Sequence, residues 1–293
     1  MEKNITVIIP SYNRAHLLPR TVPTYFQEGV KEIILVDDCS PDNTREVVAE
    51  LQKKYPNLRY VRQPRNMRQP AAKNAGIREC KTEWIYFGDD DSILAPHTIE
   101  YLYETAQQHD AQIVGAMALY MHEGEENMEV DEILKRHYAV REPENLVDLK
   151  SFKVNFNKVC PRLAEVPFCQ ACLLTQTRMA RSVMFDVHYT GNAYREETDF
   201  ILRCCAKGAK VMYDSRGVQI NLPRQQATGG ARGKSVWRYK YYMIKNNWRF
   251  LKKNYSFLKK KYGLGGNALT MQLYFIQGFF TRPIIRGLKR IFK

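Results

Sequence analysis

Short apolar runs alternate along this chain with stretches whose apolar residues recur every three or four positions. Residues 5–9 form a β-branched run of strand character, after which Leu17, Leu18, Val22, Tyr25 and Phe26 fall at helical spacing. Residues 33–36 read as a second strand. Asp42 and Asn43 then form a cap region ahead of a helix that turns Val47, Val48 and Leu51 inward. Tyr60 and Val61 centre a short third strand. A helix over residues 71–79 leads to a fourth strand at 84–87, Pro96 opens a helix to about His109, and residues 111–120 form a fifth strand. Such alternation predicts an α/β domain with a mostly parallel sheet and helices on both faces. Residues 121–160 are polar and weakly periodic, so they are expected as an excursion over the surface that helps shape an acceptor site.

At 293 residues the chain has ample length for a buried core. No stretch reaches the roughly 18 consecutive apolar residues of a membrane-spanning helix, and the start lacks a signal-peptide pattern. The expected location is cytoplasmic. Seven cysteines without regular spacing fit reduced thiols, and Cys169 and Cys172, a lone C-x-x-C in an apolar run, are expected in the core. The net charge of +14 is unevenly placed: residues 215–293 carry 18 Lys and Arg and no acid, against 27 basic and 31 acidic residues before them. That asymmetry points to an anionic partner for the C-terminal segment.

Ligands of an open parallel sheet bind beyond the carboxyl ends of its strands. There lie Tyr12, Asn13 and Arg14 after the first strand, Asp37 and Asp38 after the second, and Asp89, Asp90 and Asp91 after the fourth. Three successive acids after a buried strand repel one another unless a cation neutralises them. Mg2+ or Mn2+, held by one or two carboxylates and by phosphate oxygens, is the economical answer. An acidic turn ahead of Pro96 is the plain alternative; the second acidic pair at a neighbouring strand end weighs against it.

Five segments in order, VIIPSYNR (residues 7–14), ILVDDCSPDNT (34–44), AAKNAGI (71–77), FGDDDS (87–92) and REETDFILRCCAKG (195–208), resemble the motifs of glycosyltransferase family two. The resemblance runs over roughly residues 4–225 and implies the GT-A fold, here with a basic helical C-terminal extension. It places a catalytic domain over residues 1–225, with a nucleotide-sugar half to about 120 and an acceptor half beyond, and a basic aromatic helical segment over 226–293.

The same resemblance implies that Pro10, Tyr12 and Arg14 line a nucleoside pocket, that Asp38 bonds the base, commonly uracil, and that Lys73 lies near the nucleotide. Asp89 and Asp91 match the outer acids of a D-x-D motif, with Asp90 between them in the donor site and Asp91 the direct metal ligand. Glu197 aligns with the catalytic base, though the sequence does not choose among Glu196, Glu197 and Asp199, and acids also suit a helix N-terminus. Where many relatives place a metal-ligating His, this chain has Asn221, whose amide oxygen suits a hard cation without contributing charge.

The implied function is metal-dependent, inverting transfer of a sugar from a nucleotide diphosphate sugar, UDP-linked, to an acceptor hydroxyl of a saccharide or lipid-linked acceptor in cell-surface polysaccharide or glycolipid synthesis. Rival readings are a sugar-nucleotide nucleotidyltransferase, which lacks its Gly-rich basic loop here, and a nucleic-acid-binding protein using Trp237, Tyr239, Tyr241, Tyr242 and Trp248. Neither accounts for the five motifs, so nucleic acid is not an expected partner. The string from Thr228 to Ser235 lacks the first Gly and the preceding strand of a P-loop, and no G-x-G-x-x-G follows the first strand. At the C-terminus Ile284, Ile285, Leu288, Ile291 and Phe292 share one helical face with basic residues around it. The preferred reading is a helix lying on an anionic membrane surface, which makes the protein peripheral on the inner face.

Overall fold

The structure, a computed structural model, describes residues 3–230 and 235–291, with side chains of the last helix given through residue 279. In chain order the elements are β1 Ile5–Ser11, α1 Leu18–Thr21, β2 Val30–Asp37, α2 Thr44–Lys54, β3 Leu58–Arg62, α3 Gln69–Glu79, β4 Trp84–Phe87, β5 Ser92–Leu94, α4 Thr98–Gln108 and β6 Ile113–Tyr120. Then follow α5 Val130–Arg136, β7 Val147–Asp148, β8 Lys153–Val154, β9 Ala164–Glu165, β10 Leu173–Gln176, α6 Thr177–Val183, α7 Glu196–Ala206, β11 Val211–Asn221, α8 Val236–Tyr262 and α9 Ala268–Ile291.

The main sheet has the order β3-β2-β1-β4-β10-β6-β11-β5, with β9 paired to β11. β1 to β4 are parallel, and β11 runs parallel to β6. β10 is antiparallel to both β4 and β6, and β5 closes the far edge antiparallel to β11. The strand order turns back at β1 and β4, so their carboxyl ends open onto the crevice where such sheets bind ligands. β1 is buried through residues 5–9, as a central parallel strand covered on both faces must be. α3 lies close against it: a Cβ on Gly76 would sit 2.4 Å from Ile8 Cγ2. This close approach seats Lys73, one turn earlier on α3, inside the molecule.

All seven cysteines are free thiols, and Cys169 and Cys172 are buried beside β10. Residues 121–160 differ from a purely superficial excursion. Ile133, Leu146, Phe152 and Phe156 are buried in the same core cluster as Phe250 and Leu251 of α8. Weak periodicity here reflects single anchors inserted from short elements. α8 carries a buried stripe of Asn247, Phe250, Leu251, Asn254 and Leu258 and ends at Gly263, whose φ of 67° provides a left-handed C-cap. Some of its positive charge is spent internally: Asp186 accepts from Arg249 at 2.8 Å and Lys253 at 2.7 Å. No helix among the described residues is long and apolar enough to cross a membrane. The apolar face expected at residues 284–292 lies outside the described side chains.

Candidate active site

The carboxyl ends of β1, β2 and β4 bring the first group of expected residues together. Pro10, Tyr12, Arg14, Asp38, Asp89 and Asp90 line one pocket, together with Asn66, Arg68, Gln69 and Gly230. Asp38 is held by the loop before α3: its two carboxylate oxygens accept the backbone N–H groups of Met67 and Arg68, each at 2.7 Å. Burial raises the Asp38 carboxyl above its ordinary value despite those donors.

Arg14 crosses from the end of β1 to the acidic run after β4. Its Nη1 lies 2.6 Å from Asp90 Oδ1 and 3.0 Å from Asp91 Oδ2, with all three side chains nearly buried. Gly229 and Gly230 overlie this arginine. A Cβ on Gly229 would stand 2.1 Å from the Asn13 carbonyl oxygen, and one on Gly230 would stand 2.8 Å from Arg14 Cζ, so both positions require glycine. The Gly pair that fails as a P-loop thus lets the chain after β11 close over the pocket. The sequence signal for it was the doublet itself, once a close backbone approach is considered.

Asp89 is placed differently. Tyr25 Oη donates to its carbonyl at 3.0 Å and accepts its N–H at 3.1 Å, and Gln219 Nε2 donates to its carboxylate at 2.9 Å. Tyr25 and Gln219 were not singled out by sequence, since both read as ordinary helix and strand residues. Burial, and next the charge of Asp91, push the Asp89 carboxyl up to about 7. Asn221 pairs with Ser92 at the edge of the sheet: its Oδ1 accepts from Ser92 Oγ at 3.0 Å and its Nδ2 donates to the Leu119 carbonyl at 2.9 Å.

A second ionic group lies at the start of α7. Lys73 Nζ, 1% exposed, is 2.8 Å from Glu197 Oε1 and 3.3 Å from Glu196 Oε1. Burial works against the Lys73 charge, but Glu197, Glu196 and Asp89 outweigh it and hold its value above the ordinary one. The two glutamates separate. Glu196 is fully buried and its carboxyl is pushed well up by desolvation, whereas Lys73 overcomes burial at Glu197 and holds it below the usual range. Glu197 keeps 23% of its side chain exposed. Asp199, the third acid of the segment, is fully buried and faces α8 and its own helix, accepting from Arg203 Nε at 2.7 Å, Lys253 Nζ at 2.9 Å and Asn254 Nδ2 at 2.8 Å.

A pocket at the strand ends, an acidic run at the topological switch point and a lysine-paired glutamate are arranged on a GT-A frame. The sequence model of glycosyl transferase family 2 matches residues 6–162, more than half of the chain, and the chain belongs to that family. Glu196, Glu197 and Asn221 lie beyond the matched span.

Among curated proteins, the glycosyltransferase GlyG of Streptococcus pneumoniae is 34% identical over 116 residues, 39% of this chain and 38% of its own length. A GalNAc(5)-diNAcBac-PP-undecaprenol beta-1,3-glucosyltransferase of Campylobacter jejuni is 32% identical over 114 residues, 38% of this chain and 37% of that protein. The chain therefore spans about two fifths of the length of these curated relatives. Among solved structures, the mannosyltransferase PcManGT of Pyrobaculum calidifontis, in complex with GDP-Man and Mn2+, aligns with a TM-score of 0.60 at 16% identity, covering 93% of this chain and 69% of that one. TarS of S. aureus, in complex with UDP-GlcNAc, aligns with a TM-score of 0.58 at 14% identity, covering 85% and 66%. At these identities both establish the shared fold.

The Lys73 knot makes a prediction with a definite sign. Because Lys73 lowers the Glu197 carboxyl, the ion pair contributes stability above the ordinary glutamate value of about 4.3 and loses it as pH falls through the lowered one. Urea denaturation of Lys73→Met at pH 7–8 should show a loss of about 3–5 kcal/mol, the scale for stranding a buried charge. The deficit should shrink below about pH 5 as Glu197 becomes protonated. A deficit that does not depend on pH would mean that Lys73 contributes packing alone.

Proposed function

We propose that this protein moves a glycosyl group from a nucleoside diphosphate sugar, UDP-linked, to an acceptor hydroxyl in the synthesis of a cell-surface polysaccharide or glycolipid, with inversion at the anomeric carbon. The observation that carries the reading is the division of labour among buried charges at one sheet edge. Arg14 pairs with Asp90 and Asp91, Lys73 pairs with Glu197 and Glu196, and Asp89 lines the pocket with no ion pair of its own among the described residues. The complexes of PcManGT with GDP-Man and Mn2+ and of TarS with UDP-GlcNAc support the donor class, and the undecaprenol-linked substrate in the name of the C. jejuni relative supports the acceptor class.

The donor set fits a hard divalent cation. Asp89 and Asp91 offer only oxygen, and the raised Asp89 carboxyl marks a site short of positive charge. Two carboxylates do not close around an ion by themselves, which suits Mg2+ or Mn2+, ions that complete their shell with water and substrate phosphate. Asp91 and Asp89 would hold it. Asn221 would have to share an amide oxygen already bonded to Ser92. When bound, the cation supplies charge stabilisation to the departing diphosphate.

The chain's own residues supply the rest. Tyr12 presents an aromatic face to the nucleoside, and Asp38, fixed by two backbone donors, offers its carboxylate at the base. Arg14, fixed beneath Gly229 and Gly230, holds Asp90 and Asp91 in place beside the diphosphate position. Glu197 is the base: it is ionised, partly exposed and oriented by Lys73, so it can take the acceptor's proton as the hydroxyl oxygen attacks. Glu196 is fully buried, with its carboxyl raised by desolvation, and Asp199 is occupied by three donors of α7 and α8. One displacement with one base inverts the anomeric centre, by the geometric logic of inverting glycosidases.

Glu197→Gln should bind donor normally and lose transfer by roughly a hundredfold or more, while Asp91→Asn should fold and lose the response to added Mn2+. Normal transfer by Glu197→Gln, with loss in a folded Asp199→Asn, would move the base to Asp199.

We further infer that the acceptor is met at an anionic membrane surface. The start of α8 exposes Trp237 to 80% and Tyr241 to 60%, amid Arg238, Lys240 and Lys245. α9 exposes Leu269, Leu273 and Tyr274. Interfacial aromatics with basic neighbours, each basic residue contributing about 1 kcal/mol near anionic headgroups, give reversible attachment without a spanning helix. The full chain should sediment with anionic liposomes at low salt and be released at high salt, and replacing Trp237 and Tyr241 by Ala should weaken binding. A full chain that ignores such liposomes at low salt would assign these side chains to a protein contact.

A further inference from the structure

We propose that His122, Glu125 and His137 form a binding site for one Zn2+-type ion, separate from the acidic donor site. Among the described residues they are the group of three metal-ligating side chains that converges, with ligand atoms all within 4.8 Å of one another. Two elements build it. His122 and Glu125 share the turn after β6, where the His122 N–H donates to Glu125 Oε2 at 2.8 Å and the Glu125 N–H donates to the His122 carbonyl at 3.3 Å. His137 caps the end of α5, its N–H bonded to the Ile133 carbonyl at 3.0 Å, and its Nε2 lies 2.7 Å from Glu125 Oε2. The two imidazole centroids are 4.7 Å apart, with His122 Nδ1 3.9 Å from Glu125 Oε1.

The chemistry of the donor set selects the ion. Two imidazole nitrogens and one carboxylate oxygen suit Zn2+ and its first-row neighbours, whereas the oxygen-only set at Asp89 and Asp91 suits Mg2+ or Mn2+. Tetrahedral ligation at about 2.0–2.1 Å places donor atoms roughly 3.3 Å apart, so the present spacings need only small side-chain rotations. His122 is free to make them, with 76% of its side chain exposed, and the fourth position on that side is open to water. Glu125 is 2% exposed, a buried carboxylate aimed at both imidazoles. Arg136 also faces it, with Nη1 3.5 Å from Glu125 Oε1, and lies 3.9 Å from Glu132, towards which it can turn when a cation sits on Glu125.

Binding there would brace the donor pocket from outside. The neighbouring Glu126 carbonyl accepts from Arg20 Nη2, and Arg20 Nη1 donates to Gln226 Oε1 at 3.3 Å. Glu123 accepts from Gln225 Nε2 at 3.0 Å. These contacts hold the stretch leading into Thr228, Gly229 and Gly230, which covers Arg14. An ion joining the turn to α5 thereby fixes the outer support of that cover.

Zn2+ titrated into the full chain with excess Mg2+ present should bind at one equivalent in the high-affinity phase and raise the melting temperature. Co2+ in its place should give the visible absorption of a four-coordinate site. His122→Ala, at an exposed position that folding does not need, should weaken Zn2+ by at least about tenfold and abolish both the melting shift and the Co2+ band. His137→Ala should do the same, and Asp91→Asn should leave all three readouts intact. Unchanged Zn2+ affinity in both histidine variants, loss of it in Asp91→Asn, or no Zn2+ uptake by the wild-type chain would overturn the proposal.

Discussion

The site depends on how five carboxylates, three buried and two half-buried, are kept at one edge of a sheet. Asp89, Asp90, Asp91, Glu196 and Glu197 converge where solvent screening is weak, and each uncompensated charge there costs several kcal/mol. Among the described residues, two cations pair with them. Arg14, at the end of β1, is shared by Asp90 and Asp91; Lys73, on α3, is shared by Glu196 and Glu197. Burial raises the Glu196 and Asp89 carboxyls against these shared cations. The divalent cation proposed for Asp89 and Asp91 would relieve the repulsion among these acids on binding.

The fold serves that arrangement in particular ways. Gly76 lets α3 press onto Ile8, which puts Lys73 inside the molecule and not on its surface. The antiparallel β10, inserted between β4 and β6, widens the sheet and leads through α6 to Phe185, whose ring lies 5.0 Å from the Lys73 ammonium. α7 then enters with Glu196 and Glu197 in its first turn, where the helix dipole favours negative charge. Asp199, one turn along, ties α8 to α7 through Lys253 and Asn254.

Much of this was legible in the residues because strong local patterns coincided with global roles. The β-branched runs of β1 and β2, the helical period of α4 and the acids at strand ends each read correctly from spacing alone. What the residues concealed depended on partners distant in sequence. β10 is a four-residue strand whose antiparallel placement is set by its neighbours. Phe152 and Phe156 sit in a polar stretch and are buried only because α8 and the sheet cover them. Tyr25 and Gln219 meet Asp89 across 64 and 130 positions. Glu196, Glu197 and Asp199 could not be told apart from their spacing, because what separates them is the distant cation that meets each one.

Lys73 serves to hold Glu197 below the usual carboxylate range, and a double-mutant cycle reads that coupling. Stability of Lys73→Met, Glu197→Gln and the double variant would be measured by urea denaturation at pH 7.5 and compared with the unaltered chain. If the pair acts as described, the double variant recovers much of what Lys73→Met loses, with a coupling energy of about 1–3 kcal/mol. Additive losses, within about 0.5 kcal/mol, would contradict the account.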